Sequence, residues 1–333
     1  STVLFLRQEA ENAPDRFPER EFFGIFVSGS FGSAGNRFSP EKKRDGLRHM
    51  KRILDFLREL QEHNDREWFE THRTEYLRVK AATEEFAARL IAGIASFDST
   101  VGDLTPKECT YRIYRDIRFS SDKRPYKSHI GIFISPGGKK SGHSGYYLHI
   151  EPEHPERSDG VPSGGPMLVT GLYMPEPAVL KSVREEILFN GEEFVRNIGQ
   201  AQDFSLNREN ALKRVPVGFP TDSPYAEYLR LKDFCLERPV SEAFLLSPAL
   251  LARVTASFAT TAPFNRQLNR AVDFALDEMN HPTENGSAGK ECDRTDVANV
   301  YQASKNDSPG PKYFPTHNLH ITKRPCRLEQ RIQ

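Results

Sequence analysis

From Met50 onward, apolar residues return at the three- and four-residue spacing of an α-helix. Met50, Ile53, Leu54, Leu57 and Leu60 form one stripe. Asn64 followed by Glu67 reads as a capping box. It opens a second helical pattern through Trp68, Phe69, Tyr76, Val79, Phe86, Leu90 and Ile94, with a break expected near His72 to Thr74. The period then falls to two. Cys109, Tyr111, Ile113, Ile117 and Phe119 alternate with Thr110, Arg112, Tyr114, Asp116 and Arg118, which predicts a strand. Further strands are expected at Ile130 to Ile134, Tyr146 to Ile150 and Met167 to Met174, with the Gly-rich Pro136 to Gly145 as a hairpin turn.

Helical spacing resumes after Pro175. Val179, Leu180, Val183 and Ile187 mark one helix, expected to stop at Asn190 and Gly191, and Phe194, Val195 and Ile198 mark a short one. Leu212 to Pro220 reads as extended. Leu250, Leu251, Val254 and Phe258, then Leu268, Val272, Phe274 and Leu276, mark two last helices with Pro248 and Pro263 near their first turns. The predicted class is α+β: an antiparallel sheet of four or more strands flanked by N-terminal and C-terminal helices.

The ends lack such patterns. Residues 1–49 interleave Phe17, Phe22, Phe23, Phe26 and Phe31 with Gly, Ser and Arg without a sustained period, and are expected to be a disordered or non-native extension. Met50 would make a natural start. Residues 280–333 are polar and aperiodic, and are expected to be a disordered tail. Residues 50–279 then form a single α+β domain.

Composition narrows the function classes. Lys and Arg number 46 and Asp and Glu 46, so the net charge is zero and no general affinity for nucleic acid follows. Cys109, Cys235, Cys292 and Cys326 are far apart, with no CxxC pair, so no metal site is assigned from cysteines and free thiols in a reducing compartment are expected. No apolar run approaches the ~20 residues needed to span a bilayer. There is no basic-then-apolar leader, so the expectation is a cytoplasmic protein without a membrane partner. The sequence names no cofactor.

The stretch from Lys107 to Lys127 concentrates positive charge: Lys107, Arg112, Arg115, Arg118, Lys123, Arg124 and Lys127 against Glu108, Asp116 and Asp122. On a continuous strand Arg112, Tyr114, Asp116 and Arg118 would share a face. Neighbouring guanidinium groups repel unless an anion or carboxylate lies between them. One reading is a ligand site for a phosphorylated or anionic partner, a phosphate-bearing small molecule or nucleic acid, made by Arg112, Arg115, Arg118, Lys123, Tyr126 and Lys127. Asp116 would orient the guanidinium groups and Tyr126 would wall the site. A second reading is a hydrolase or transferase on a phosphate-bearing substrate, with Asp116, His149 or Glu151 as general base or metal ligand. A third is a structural or interaction protein in which an internal network pairs the arginines with carboxylates such as Glu84 and Glu85.

Arg112-x-x-Arg115-Asp116-x-Arg118-Phe119-x-x-Asp122-Lys123-x-Pro125-Tyr126-Lys127 resembles the signature of the DUF2461 family, a domain of unknown function. Trp68 and Phe69, Tyr146 to Ile150, Gly171 to Pro175 and Val215 to Gly218 follow in the order of that family. The resemblance spans about residues 50–279 and implies a single α+β unit but no reaction. An insertion-like loop at Glu153 to Pro166 and the two ends depart from it.

Other groupings are weaker. His149 and Glu151 alternate and so share a strand face with Tyr147. With Asp116 or His129 they could form a metal or acid–base site, although a His-x-Glu on a strand is more commonly a hydrogen-bonded sheet pair. The loop Pro136 to Gly145, with Lys139 and Lys140, could cradle phosphate but matches no nucleotide fingerprint. His143 there is as readily solvated. Cys109 is expected to be buried and inert, and Trp68 to pack in the core.

Overall fold

The computed structural model describes residues 40–118, 122–153 and 165–280. The expected extension up to Ser39, the tail from His281, Phe119 and most of the insertion-like loop lie outside the described residues. Helix α1 is Pro40–Glu62, so the expected domain start at Met50 falls inside a helix. Helices α2 (Arg66–Thr71) and α3 (Arg73–Ala95) follow, divided at His72 where the sequence predicted a break. The cap is Asp65 and not Asn64: its carboxylate accepts from the Trp68 amide at 2.9 Å. Asn64 has another task, described below.

A short helix α4 (Pro106–Cys109) precedes strands β1 (Ile130–Ile134), β2 (Gly145–Ile150) and β3 (Met167–Leu172). Then come α5 (Pro177–Gln200), β4 (Ser205–Leu206), α6 (Ala226–Leu229), β5 (Phe234–Pro239), α7 (Glu242–Leu245), α8 (Leu250–Ala259) and α9 (Ala262–Asn280). The strands form one antiparallel sheet in the order β1-β2-β3-β5-β4. The α+β expectation therefore holds, with helices before and after the sheet.

Three elements differ from their sequence patterns. The alternating stretch after Cys109 is no sheet strand. It touches β1 through a single bridge, Thr110 to Ile132, and otherwise folds back on residues 125–127 through a bridge from Tyr114 to Tyr126. Asp116 and Asp122 turn the chain, their carboxylates accepting from the backbone N–H of Arg118 and Arg124 two residues on. Pro125 supplies no N–H to extend a ladder. Asn190 and Gly191 kink α5 and do not end it: Asn190 leaves helical geometry (φ −123°, ψ 33°) and a side chain at Gly191 would strike the Tyr225 ring. Strand β5 carries the consecutive apolar residues Phe234, Cys235 and Leu236: Cys235 points to the cavity side yet is buried like its two core-facing neighbours, so the run shows no alternation of apolar and polar residues.

Register assigns the faces. Ile132 pairs with Leu148 and Leu148 with Leu168, so Ile132, Ile134, Tyr146, Leu148, Ile150 and Leu168 point one way. They pack with residues of α1, α3 and α8 into one cluster. Further along the same face, Leu172, Phe234 and Leu236 pack with α5 and α9. The opposite face carries Gly131, Phe133, Tyr147, Val169, Gly171, Cys235 and Glu237, and no helix is packed flat against it among the described residues.

Candidate functional site

The signature loop is held from beneath. The Asn64 side chain pairs with the backbone of Tyr126 in both directions, donating to its carbonyl at 3.1 Å and accepting from its N–H at 3.0 Å. Tyr126 is buried and stacks on Phe69 at 3.9 Å and 12°. It therefore packs in the core and leaves little surface to wall a site. Arg118 grips Asp116 through two hydrogen bonds, at 3.0 and 2.6 Å. Arg115 and Arg124 both reach Asp122, at 2.7 and 2.8 Å. Hydrogen bonds from Arg118, then the charge of Arg112, hold the Asp116 carboxyl below its usual range, and Arg124 and Arg115 do the same for Asp122. The Lys123 ammonium donates to the Ile117 carbonyl at 3.2 Å. The carboxylates that meet these arginines come from the motif itself; Glu84 and Glu85 lie against Lys80 and His49 instead.

The open sheet face floors a cavity of about 680 Å³. Phe133, Tyr147 and Val169 form its base, with Tyr111, Lys127 and His129 on one side. The β1–β2 loop overhangs it with Lys139, Lys140 and His143, and Leu276 and Met279 of α9 close it beyond β3. The loop is pinned to α9. Asn269 accepts from the Ser144 amide at 2.8 Å, the Ser144 hydroxyl meets Asn265, and the His143 ring is 2.8 Å from Asp273. The loop does act as the expected hairpin connection, since β1 and β2 are antiparallel neighbours.

Lys127 is the one member of the predicted basic set that lines this cavity. Its ammonium lies 5.4 Å from the Tyr111 ring centre, a cation–π distance. Burial, then the charge of Arg112, lowers its basicity. Lys139 also faces the Tyr111 ring, at 6.0 Å, and donates to the Lys107 carbonyl. Among the described residues neither Lys127 nor Lys140 has a carboxylate partner.

At the β1 end of the same face, three side chains converge. Tyr147, His149 and Glu151 project from alternate positions. The Tyr147 hydroxyl is 2.9 Å from His149 Nδ1, His149 Nε2 is 3.2 Å from Glu151 Oε2, and the Ser128 hydroxyl donates to Glu151 Oε1 at 3.0 Å. Gly131 makes room for the Tyr147 ring, because a Cβ there would sit 2.7 Å from the phenol oxygen. Register places His129 beside Glu151, and its ring lies 4.4 Å from that of His149. Burial, then His149, holds His129 down at about 4, so it is neutral at ordinary pH. Burial raises the Glu151 carboxyl, but His149, Ser128 and His129 outweigh it and the net direction is downward. Burial, then Tyr111, pushes the Tyr147 phenol up. Asp116 is exposed on the signature loop and stands apart from this group of His129, His149 and Glu151.

Residues 52–266 match the family described as conserved hypothetical protein, DUF2461. The chain belongs to this family. No curated protein and no solved structure matches it. The resemblance to DUF2461 is thus upheld over most of the described fold. In this DUF2461 protein no helix among the described residues is long and apolar enough to cross a membrane.

Cys109 and Cys235, the two cysteines among the described residues, are both free and buried. Cys235 faces the cavity from β5 yet is buried, and burial pushes its thiol up to about 12; burial likewise pushes Cys109 up to about 11. The thiolate is the reactive form, so in the native protein both should alkylate at least about a hundredfold more slowly than a free thiol at pH 8. Peptide mapping after a timed iodoacetamide pulse, with and without urea, checks this. Fast native labelling of either position would contradict it.

Proposed function

We infer that the cavity on the open sheet face binds a small anionic molecule, its charge met by Lys127, Lys139 and Lys140 and its apolar part by Phe133, Tyr147 and Val169. The observation that carries this reading is a pair of lysines, Lys127 and Lys140, that line a concave site without a carboxylate partner among the described residues. A half-buried ammonium without a counter-ion is costly, and the lowered basicity of Lys127 expresses that cost. A phosphate or carboxylate would relieve it. The cavity has the size and lining of a small-molecule pocket. Arg115 and Arg118 support the site from outside, since their charge is directed at Asp122 and Asp116.

Calorimetry on the full chain in EDTA, with inorganic phosphate, pyrophosphate, nucleoside monophosphates and sugar phosphates, tests the reading. Binding should weaken with salt. It should weaken about tenfold or more in Lys127→Ala and in the double variant Lys139→Ala with Lys140→Ala, a loss of the size expected for charged hydrogen bonds. An absence of binding, or binding indifferent to both variants, would refute it. An oligonucleotide that binds far more tightly than any mononucleotide would move the site out of the cavity.

A second reading, a hydrolase or transferase acting on the bound anion, is favoured by the Tyr147–His149–Glu151 chain beside the cavity. With His149 Nε2–H donating to Glu151, Nδ1 accepts from the Tyr147 hydroxyl, and the imidazole is held in one tautomer. That arrangement suits His149 to move a proton to or from Tyr147.

A further inference from the structure

We propose that His129, His149 and Glu151 bind a divalent first-row transition ion, such as zinc or iron(II), at the end of the cavity. The proposal rests on the second reading above, a reaction of the bound anion, but makes His149 a metal ligand in place of a proton carrier and supplies the ion through which the anion would be activated. The donor set is two imidazoles and one carboxylate, with one ligand atom from each lying within 4.8 Å of the others. Two-His, one-carboxylate sets hold zinc in hydrolases and iron(II) in oxygenases. Imidazole ligands favour such ions over magnesium or calcium, which take oxygen donors.

Four features go beyond simple clustering. First, the separation of His149 Nε2 and Glu151 Oε2, at 3.2 Å, suits two ligands on one ion, since donors at ~2.1 Å and at right angles to tetrahedral spacing lie about 3.0–3.4 Å apart. Second, both of these ligands are already steered from behind. Ser128 donates to the other Glu151 oxygen, and the Tyr147 hydroxyl lies at His149 Nδ1. With an ion on Nε2, Nδ1–H would donate to the Tyr147 oxygen, the outer-shell contact that metal-bound histidines generally make. Third, neither His129 nitrogen has a hydrogen-bond partner among the described residues; the ring is engaged only by its face, against His149. Its lone pair is therefore available, and one ring nitrogen already lies within 4.8 Å of a ligand atom of each of the other two residues. Fourth, the position has access. His129 and Tyr147 are part of the cavity wall, so an ion there would present open coordination positions to whatever the lysines hold. A bound ion would act as a Lewis acid on a phosphoryl or carbonyl oxygen.

Titration of the metal-stripped full chain with Co²⁺ and Zn²⁺ alone, without any anion, tests the proposal. One equivalent should bind. Co²⁺ should give visible d–d bands, and X-ray absorption of the cobalt form should show two imidazole ligands. Stoichiometric binding should be lost in His149→Ala and in Glu151→Gln. Tyr147→Phe should weaken it by about 10–100-fold, as outer-shell changes do. Melting curves in EDTA verify that each variant folds, and if His149→Ala does not, the wild-type absorption spectrum and Glu151→Gln decide. Failure to bind one equivalent, saturable binding that Glu151→Gln and His149→Ala leave unchanged, or a cobalt spectrum without imidazole ligands would overturn the proposal. The EDTA anion titrations would stand regardless, so the two readings fail separately.

Discussion

Replacing Gly171 with alanine is expected to destabilise the protein by about 3 kcal/mol or more, which for many domains means failure to accumulate as folded protein. Gly171 lies within β3, flanked by β2 and β5, with φ at +128°, a conformation that L side chains rarely adopt. A Cβ there would be driven into the backbone carbonyl of Phe234 on the neighbouring strand. Neither problem can be relieved by moving a flexible side chain. Both strands would have to part, and they separate the cavity from the Phe234 and Leu236 side of the core. Urea denaturation followed by far-UV circular dichroism reads the effect. A loss below about 1 kcal/mol, the size of an ordinary surface change, would show that the ladder absorbs the methyl group.

Phe69→Ala should cost about 3–5 kcal/mol, the usual range for emptying a fully buried aromatic site. Phe69 is completely buried, stacks on Tyr126, and meets Tyr76 at 5.0 Å and Tyr114 at 5.7 Å. Its loss would remove the platform under the signature loop. Stability and local order should therefore fall together: hydrogen exchange at Arg115 and Lys127, whose amides donate across the loop at 2.9 Å, should accelerate beyond that of β2. Phe56→Ala provides the comparison, since Phe56 is buried near the same ring at 6.4 Å without touching Tyr126 in a stack. Equal acceleration in both variants would mean that the loop is not specifically seated on Phe69.

Local periodicity made much of the scaffold legible. The Met50 to Leu60 stripe is a buried helix face, and the three strand runs from Ile130, Tyr146 and Met167 are β1, β2 and β3. Legibility failed where a side chain serves a distant backbone. Asn64 looks like a helix cap, yet Asp65 next to it does that work, and Asn64 is occupied by Tyr126, 62 residues away. The alternation after Cys109 is genuine, but Asp116, Asp122 and Pro125 spend it on a self-closed turn. Strand β5 has no two-residue rhythm to detect.

The candidate site divides in the same way. Strand alternation alone puts Tyr147, His149 and Glu151 on one face. The approach of His129 depends on the β1–β2 register, in which Ile130 opposes Ile150, and a shift by one residue would turn His129 away. Lys139 and Lys140 reach the cavity because α9 holds down their loop through Asn265, Asn269 and Asp273, more than a hundred residues later. Nothing near those lysines in the sequence announces that tether. The arginines of the signature were legible as a charge cluster, but the pairing of Arg115 with Asp122 and of Arg118 with Asp116 depends on the turns those aspartates make.

On β1, β2, β3 and β5, the residues that secure the sheet against its helices occupy every other position, and those that face the cavity fill the gaps between. Exchanging Phe133, Val169 or Glu237 therefore alters the cavity lining while leaving the buried neighbours Ile132, Leu168 and Leu236 in contact with the same partners. The lining of the cavity can thus drift by single substitutions at little cost to folding, except at Gly131, where a Cβ would meet the Tyr147 ring, and at Gly145 and Gly171, where it would meet the backbone of the neighbouring strand.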